Sequence, residues 1–355
     1  MQRSLILFLL GFLMLAVTAC EKNTISEKEK AFYRAVDISS LPEIENENLI
    51  FYDSNGSEKP FTKILKDHGV NTIRLKLWVH PENPVNGLDA VAAFASRLRD
   101  EGFKIWLTVH YSDTWADPGD QETPEAWQNL SLETLKDSVY EYTRKVVSRI
   151  HPEIIQIGNE VNNGFLHPQG NLHNHPGQFI TLMQEGIRAT REHGPDTKIM
   201  IHYAGQEGSN NFFTTVSALD YDLIGLSYYP IWHGKNLDSL RQTLGQLSSA
   251  YQKDVLIAET AYPFTLDWND WTNNIVGLEE QLILPDYPAT PEGQKAFLRE
   301  IRSIVEATPR GAGFCYWGAE RIAFKGSEAT DGSAWENQAL FDFENFALPA
   351  LEVFE

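Results

Sequence analysis

Residues 154–165 read IIQIGNEVNNGF. Three isoleucines in the first four positions give way to Gly158, Asn159 and Glu160. A near-continuous apolar run, rather than strict alternation, marks a strand covered on both faces, as in a parallel sheet. Such a strand has no packing use for a carboxylate at its end, so Glu160 asks for a partner elsewhere in the chain.

The same signature recurs along the sequence. RAVDIS (34–39), VNTIRLKLW (70–78), FKIWLTVHY (103–111), TKIMIHYAG (197–205), YDLIGLSYY (221–229), DVLIAET (254–260) and GAGFCYWG (311–318) complete a set of eight candidate strands. Amphipathic helical patterns lie between them. Leu88, Val91, Ala92, Ala95 and Leu98 fall on one stripe, and Leu132, Leu135, Val139, Tyr142, Val146 and Ile150 on another. Ser131 and Thr134 open the second helix, while Gly102 and Gly194 sit where helices should stop. Eight strands with helical crossovers and no linker or repeat predict a single (β/α)8 barrel over residues 31–355. The alternative is an open doubly wound sheet, but no glycine-rich phosphate turn follows the first strand.

Ahead of the barrel, residues 1–20 read MQRSLILFLLGFLMLAVTAC. The apolar run is short for a membrane span and has the layout of a secretory signal. Its ending resembles a bacterial lipobox, which implies lipidation of Cys20; an ordinary signal cleaved near Ala19 is the alternative. A polar tether, EKNTISEKEK (21–30), follows. A secreted lipoprotein, tethered in the periplasm or at the cell surface, is therefore expected, and the soluble part is expected to be a monomer. The other cysteine, Cys315, reads as buried filler.

A formal charge of −20 argues against nucleic acid, whose phosphates need Lys and Arg, and favours a neutral ligand. The 13 Tyr and 9 Trp suit sugar faces as well as a core. In a barrel the site is built where strands end. Those ends carry Arg74 and Trp78, then His110, Asp113 and Trp115, then Asn159 and Glu160. Tyr228, Tyr229, Trp232, Glu259 and Trp317 follow on the later strands. Strands four and seven face each other across a barrel mouth, so Glu160 and Glu259 form a candidate pair. Two carboxylates about 5 Å apart are what a retaining glycosidase needs. One difficulty is local: alternation sends Asn159 and Glu160 to opposite faces unless the strand end bulges or turns.

IGNEVNNGF (157–165), HYSDTWADPGDQ (110–121), LSYYPIWHG (226–234), AETAYPF (258–264) and WENQALFDF (335–343) together resemble the motifs of family 53 glycoside hydrolases, the endo-β-1,4-galactanases. The resemblance implies a retaining (β/α)8 enzyme acting on β-1,4-galactan, with Glu160 as acid/base and Glu259 as nucleophile. It further implies that Asn159 bonds the sugar 2-hydroxyl and that Arg74 and Tyr228 hold Glu259. By the same likeness Trp317 lies under the reacting sugar, and His110, Asp113, Trp115 and Asp117 contact substrate. Trp232 and Trp335 are candidates for outer subsites; His233 reads as a surface residue. Some members carry calcium in the loop after strand seven, for which Asp267, Asn269 and Asn273 are the candidates in LDWNDWTNN (266–274). Trp271 interrupts that series, and the loop also reads as a solvated turn. The chemistry needs no cofactor. Two other readings share these residues: an endo-glycosidase of the same clan acting on mannan, xylan or glucan, and a non-catalytic glycan-binding lipoprotein.

Overall fold

The structure, a computed structural model, describes residues 32–355. The signal, the tether and Cys20 lie outside the described residues. In order come β1 (Tyr33–Asp37), α1 (Leu41–Glu45), α2 (Phe61–Asp67), β2 (Thr72–Leu77), α3 (Leu88–Asp100), β3 (Lys104–Val109), α4 (Leu132–Ile150) and β4 (Ile154–Ile157). The second half runs α5 (Pro176–His193), β5 (Lys198–Ala204), α6 (Ser209–Thr215), β6 (Leu223–Ser227), α7 (Pro230–His233), α8 (Leu237–Tyr251), β7 (Asp254–Thr260), α9 (Pro291–Ala307) and β8 (Gly311–Trp317). The strands are parallel and close as β1-β2-β3-β4-β5-β6-β7-β8, with β8 pairing β1. This is the (β/α)8 barrel that the apolar runs predict.

Strand alternation divides the core in two. Outward residues such as Ile73, Leu75, Ile105, Leu107, Ile155 and Ile157 join the helices in one large apolar layer. Inward residues, among them Ala35, Trp106, Ile154, Met200, Leu256 and Cys315, plug the barrel. One inward step further along the strands the filling turns polar. Gln156 Oε1 accepts from Arg74 Nε (2.9 Å), Trp106 Nε1 (2.6 Å) and Thr108 Oγ1 (2.8 Å). These three bonds offset the burial of the donors and of Oε1, while Gln156 Nε2 is left without a partner.

The helices end where their chemistry dictates. Ser131 Oγ accepts from Thr134 N at the start of α4, which closes at His151 in the left-handed region. Gly102 follows α3 at φ +85°. The strands are shorter than the quoted runs: Trp78, His110, Glu160 and Tyr229 all lie beyond strand ends. Of these, His110, Glu160 and Tyr229 line the site, and Trp78 packs behind Trp115.

Candidate active site

The chain leaves β4 at Ile157 and turns at once, with Gly158 at φ +83° and Glu160 at φ +46°. A Cβ on Gly158 would lie 2.4 Å from Val161 Cγ1, so the turn needs glycine there. This turn resolves the alternation difficulty: Asn159 and Glu160 both line the barrel mouth. Glu160 N donates to His202 Nδ1 (3.3 Å), and Gln121 Nε2 donates to the carbonyls of Asn159 (2.8 Å) and Glu160 (3.3 Å). A left-handed glutamate costs on the order of 1–3 kcal/mol and persists only under such bracing.

Glu259 arrives by a different irregularity. Ala258 belongs to the barrel plug, while its neighbour Glu259 opens into the cavity. Alternation alone cannot do both. The register of β7 shifts against β6 at Leu226/Ser227 and against β8 between Ile257 and Thr260. That bulge supplies the extra residue that re-aims Glu259.

An oxygen of Glu160, one of Glu259 and a ring nitrogen of His202 all lie within 4.8 Å of one another. Burial, first, and the neighbouring Glu259 charge push Glu160 up to about 8. Burial raises Glu259 as well, but Arg74 and Tyr229 pull against it. Arg74 Nη2 donates to Glu259 Oε1 at 2.6 Å, and Tyr229 Oη donates to Oε2 at 2.9 Å. A proton shared by the pair therefore rests on Glu160, leaving Glu259 ionised.

Arg74 is fully buried, and its remaining bonds go to Asp37 Oδ2 (2.7 Å), Asn159 Oδ1 (2.9 Å) and Gln156. It is thus more than a counter-ion: it fixes four acceptors on β1, on β4 and just beyond it, and on β7. The tyrosine assignment is corrected by one residue. Tyr228 Oη donates to Gly234 O (2.8 Å) and its ring stacks on Phe297 of α9, outside the barrel. Tyr229, in phase with Ser227, faces Glu259 instead. Tyr229→Phe is expected to lower kcat about 10²-fold, on the scale of a lost oriented donor, and Tyr228→Phe to leave it within about twofold. Steady-state kinetics on the two variants checks this.

A short relay supports Glu160. Ser227 Oγ donates to Glu160 Oε1 and accepts from His202 Nε2 (2.9 Å), since Nδ1 of that ring already accepts from Glu160 N. Burial and the Arg74 charge hold His202 well below its ordinary pKa, so it is neutral. His110 is neutral for the same two reasons, and its Nδ1 accepts from Ala116 N (3.1 Å).

The mouth is a cavity of about 630 Å³. Of the residues anticipated from sequence, it brings together Arg74, His110, Trp115, Asp117, Asn159, Glu160, Trp232, Glu259, Trp317 and Trp335. Asp113 is a correction: its carboxylate accepts from His80 N (2.8 Å) and Glu125 N (2.9 Å), stitching two loops rather than lining the cavity. Asp37, Lys76, His233 and Arg321 line it without having been anticipated.

The profile of Glycosyl hydrolase family 53 matches residues 33–354. The chain belongs to family 53. It is therefore a glycoside hydrolase. It is 32% identical to an arabinogalactan endo-beta-1,4-galactanase of Cellvibrio japonicus over 94% of this chain and 93% of that protein. It is 31% identical to an endo-beta-1,4-galactanase of Bacillus subtilis, covering 92% and 86%. Among solved structures it resembles the Ignisphaera aggregans GH53 catalytic domain with a TM-score of 0.86 and 38% identity, covering 91% of this chain and 95% of that one.

In this family 53 chain the calcium candidates do not stand out as a ligand set. Asp267 and Asn273 are exposed, and Asn269 uses its backbone N–H to reach Glu336 Oε1 (2.7 Å). The buried oxygens without partners in that region belong to Asp270, Asn274, Glu336 and Asn337. Glu160, His202 and Glu259 are also chemically able to hold a cation. Arg74 already occupies the charge-stabilising position beside Glu259, which disfavours a second positive centre there.

Proposed function

We propose that this family 53 hydrolase is a retaining endo-β-1,4-galactanase that cuts internal bonds of pectic galactan or arabinogalactan. The observation that carries the reading is the approach of Glu160 and Glu259 to within 4.8 Å. A separation of about 5 Å suits direct attack, whereas inverting enzymes leave ~6.5–9.5 Å for a water. The galactan assignment rests on the two bacterial relatives named for that activity.

In the first step Glu259 attacks the anomeric carbon while Glu160 gives its proton to the departing glycosidic oxygen. Arg74 and Tyr229 keep the attacking carboxylate ionised and aimed. In this reading Asn159, whose Nδ2 donates to Ala116 O (2.8 Å) and keeps a second N–H, bonds the sugar 2-hydroxyl, a contact that strengthens in the transition state. In the second step Glu160, now a carboxylate, takes a proton from a water whose oxygen attacks the anomeric carbon; the ester bond to Glu259 breaks, which frees the sugar and restores the Glu259 carboxylate. Trp317 and Trp335, with ring centroids 4.6 Å apart, offer the apolar floor, and exposed Trp232 extends the aromatic surface outward. The steps use no cofactor. We read the protein as a secreted, lipid-tethered monomer.

Activity requires Glu160 protonated and Glu259 ionised. The basic limb of kcat/KM is therefore expected near pH 8, where Glu160 loses its proton. Glu160→Gln is expected to remove that limb along with most of the rate, as pH-dependent kinetics will show. The decisive experiment offers linear β-1,4-galactan, mannan, xylan and cellulose side by side. Proton NMR on the galactan reaction should reveal the β-anomer of the new reducing end first. Turnover of another polymer alone would reassign the substrate, and an initial α-anomer would overturn retention.

A further inference from the structure

Lys76 follows Arg74 by two residues on β2 and so shares its inward face. It is 5% exposed, yet among the described residues its Nζ makes no ion pair or hydrogen bond. It lies instead 4.3 Å from the Trp115 ring centroid and 5.4 Å from that of Trp78. Arg321, after β8, brings a second cation to the same wall. Its guanidinium stands 5.5 Å from the Trp115 ring and 5.1 Å from that of Trp317, likewise without an ion pair.

The nearby acids do not neutralise this pair. Asp37 is committed to Arg74 and to Ser39. Glu320 accepts from Ser40 N through one oxygen, and burial lifts its pKa to about 7. Glu43 makes no ion pair with Lys76, and its Oε1 accepts from Asn83 Nδ2. Arg321 and Lys76 are like charges on one wall and repel each other. Two cations without ion pairs beside sugar-sized aromatic rings, in a chain of charge −20, suit a negative group.

We propose that Lys76 and Arg321 form an anion-reading subsite of the cleft, which takes a carboxylate-bearing sugar, a uronate, within or attached to the glycan. A flat carboxylate matches the guanidinium fork, and the ammonium completes its charge. The ring beneath supplies the apolar contact for the sugar face. The inference rests on the galactanase reading and refines it: the enzyme cuts neutral linkages but prefers chains near acidic units.

The test uses the full chain carrying Glu160→Gln to prevent hydrolysis, with calorimetric titration at pH 6.5. The probes are galacturonate-containing galactan oligosaccharides, the same pool after reduction of its carboxyls to neutral sugars, and 6-sulfated galactan oligosaccharides. The intact pool is expected to bind at least tenfold tighter than the reduced one, with the gap shrinking in 0.5 M NaCl. Adding Arg321→Leu or Lys76→Met should bring the ratio close to one. Arg321 is half-buried, so its variant keeps the test usable if the Lys76 variant misfolds. Equal binding of both pools, or a ratio unchanged in the variants, overturns the subsite. Preference for the sulfated pool over the uronate pool overturns its carboxylate chemistry. Failure of the wild type to cleave neutral galactan is a separate result that strikes the parent reading alone.

Discussion

Glu259→Ala is expected to lower kcat on β-1,4-galactan by about 10⁵-fold while leaving the barrel folded. The loss is large because no other carboxylate is placed to form the covalent intermediate. Asp37, which shares Arg74 with Glu259, is tied to that guanidinium at 2.7 Å and to Ser39. The fold should survive because Arg74 keeps Asp37, Asn159 and Gln156 when Glu259 is gone. Azide diffusing into the space left by the carboxylate would attack from the same side as Glu259. On an activated aryl galactoside the product should then be the α-galactosyl azide, identified by its anomeric coupling constant. A β-azide from this variant would exchange the roles assigned to Glu160 and Glu259.

Arg74→Met combines a catalytic and a structural effect. A buried ion pair broken from one side typically costs ~3–5 kcal/mol, and here two carboxylates lose the same cation. The rate should fall about 10³-fold because Glu259 is no longer held ionised or aimed. Losing the guanidinium raises Glu259 further, so the acid limb of kcat/KM should move toward neutral pH. The stability sign follows from the same shift. A carboxyl whose folded pKa is raised favours the folded state while protonated and loses that contribution as pH climbs through the folded value. The variant should therefore be penalised more at pH 8 than at pH 5, as denaturant titrations at the two values will show. Arg74→Lys restores a charge but not the fork, and should recover stability more than rate.

The barrel was legible because most buried strands announce themselves as near-continuous apolar runs, and the helices between them keep a 3.6-residue stripe. The catalytic pair was legible because each glutamate ends such a run. The phase of the rim was harder to read. Tyr228 and Tyr229 look equivalent in a quoted motif, yet β6 carries its own answer: Gly225 and Ser227 are small and inward, which puts Tyr229 inside. A Cβ on Gly225 would meet Met200 Sδ at 2.6 Å, so the barrel side of that strand has room for nothing larger. Lys76 was missed although it shares phase with Arg74, because a lysine near a strand end ordinarily reads as a solvated terminus. Asp113 misled in the opposite direction, since a polar residue in a motif-rich loop serves equally well as backbone bracing. Arg321 and His202 had no local signal at all; their partners come from other strands and meet only once the sheet closes.

The Arg74 hub also constrains how this site can drift. A change at Asp37, Gln156, Asn159 or Glu259 alters the same guanidinium, so the effects of paired replacements should depart from their sums. Diversification is then channelled to the periphery, where Trp232 and Arg321 can be exchanged one at a time without disturbing the machinery beneath.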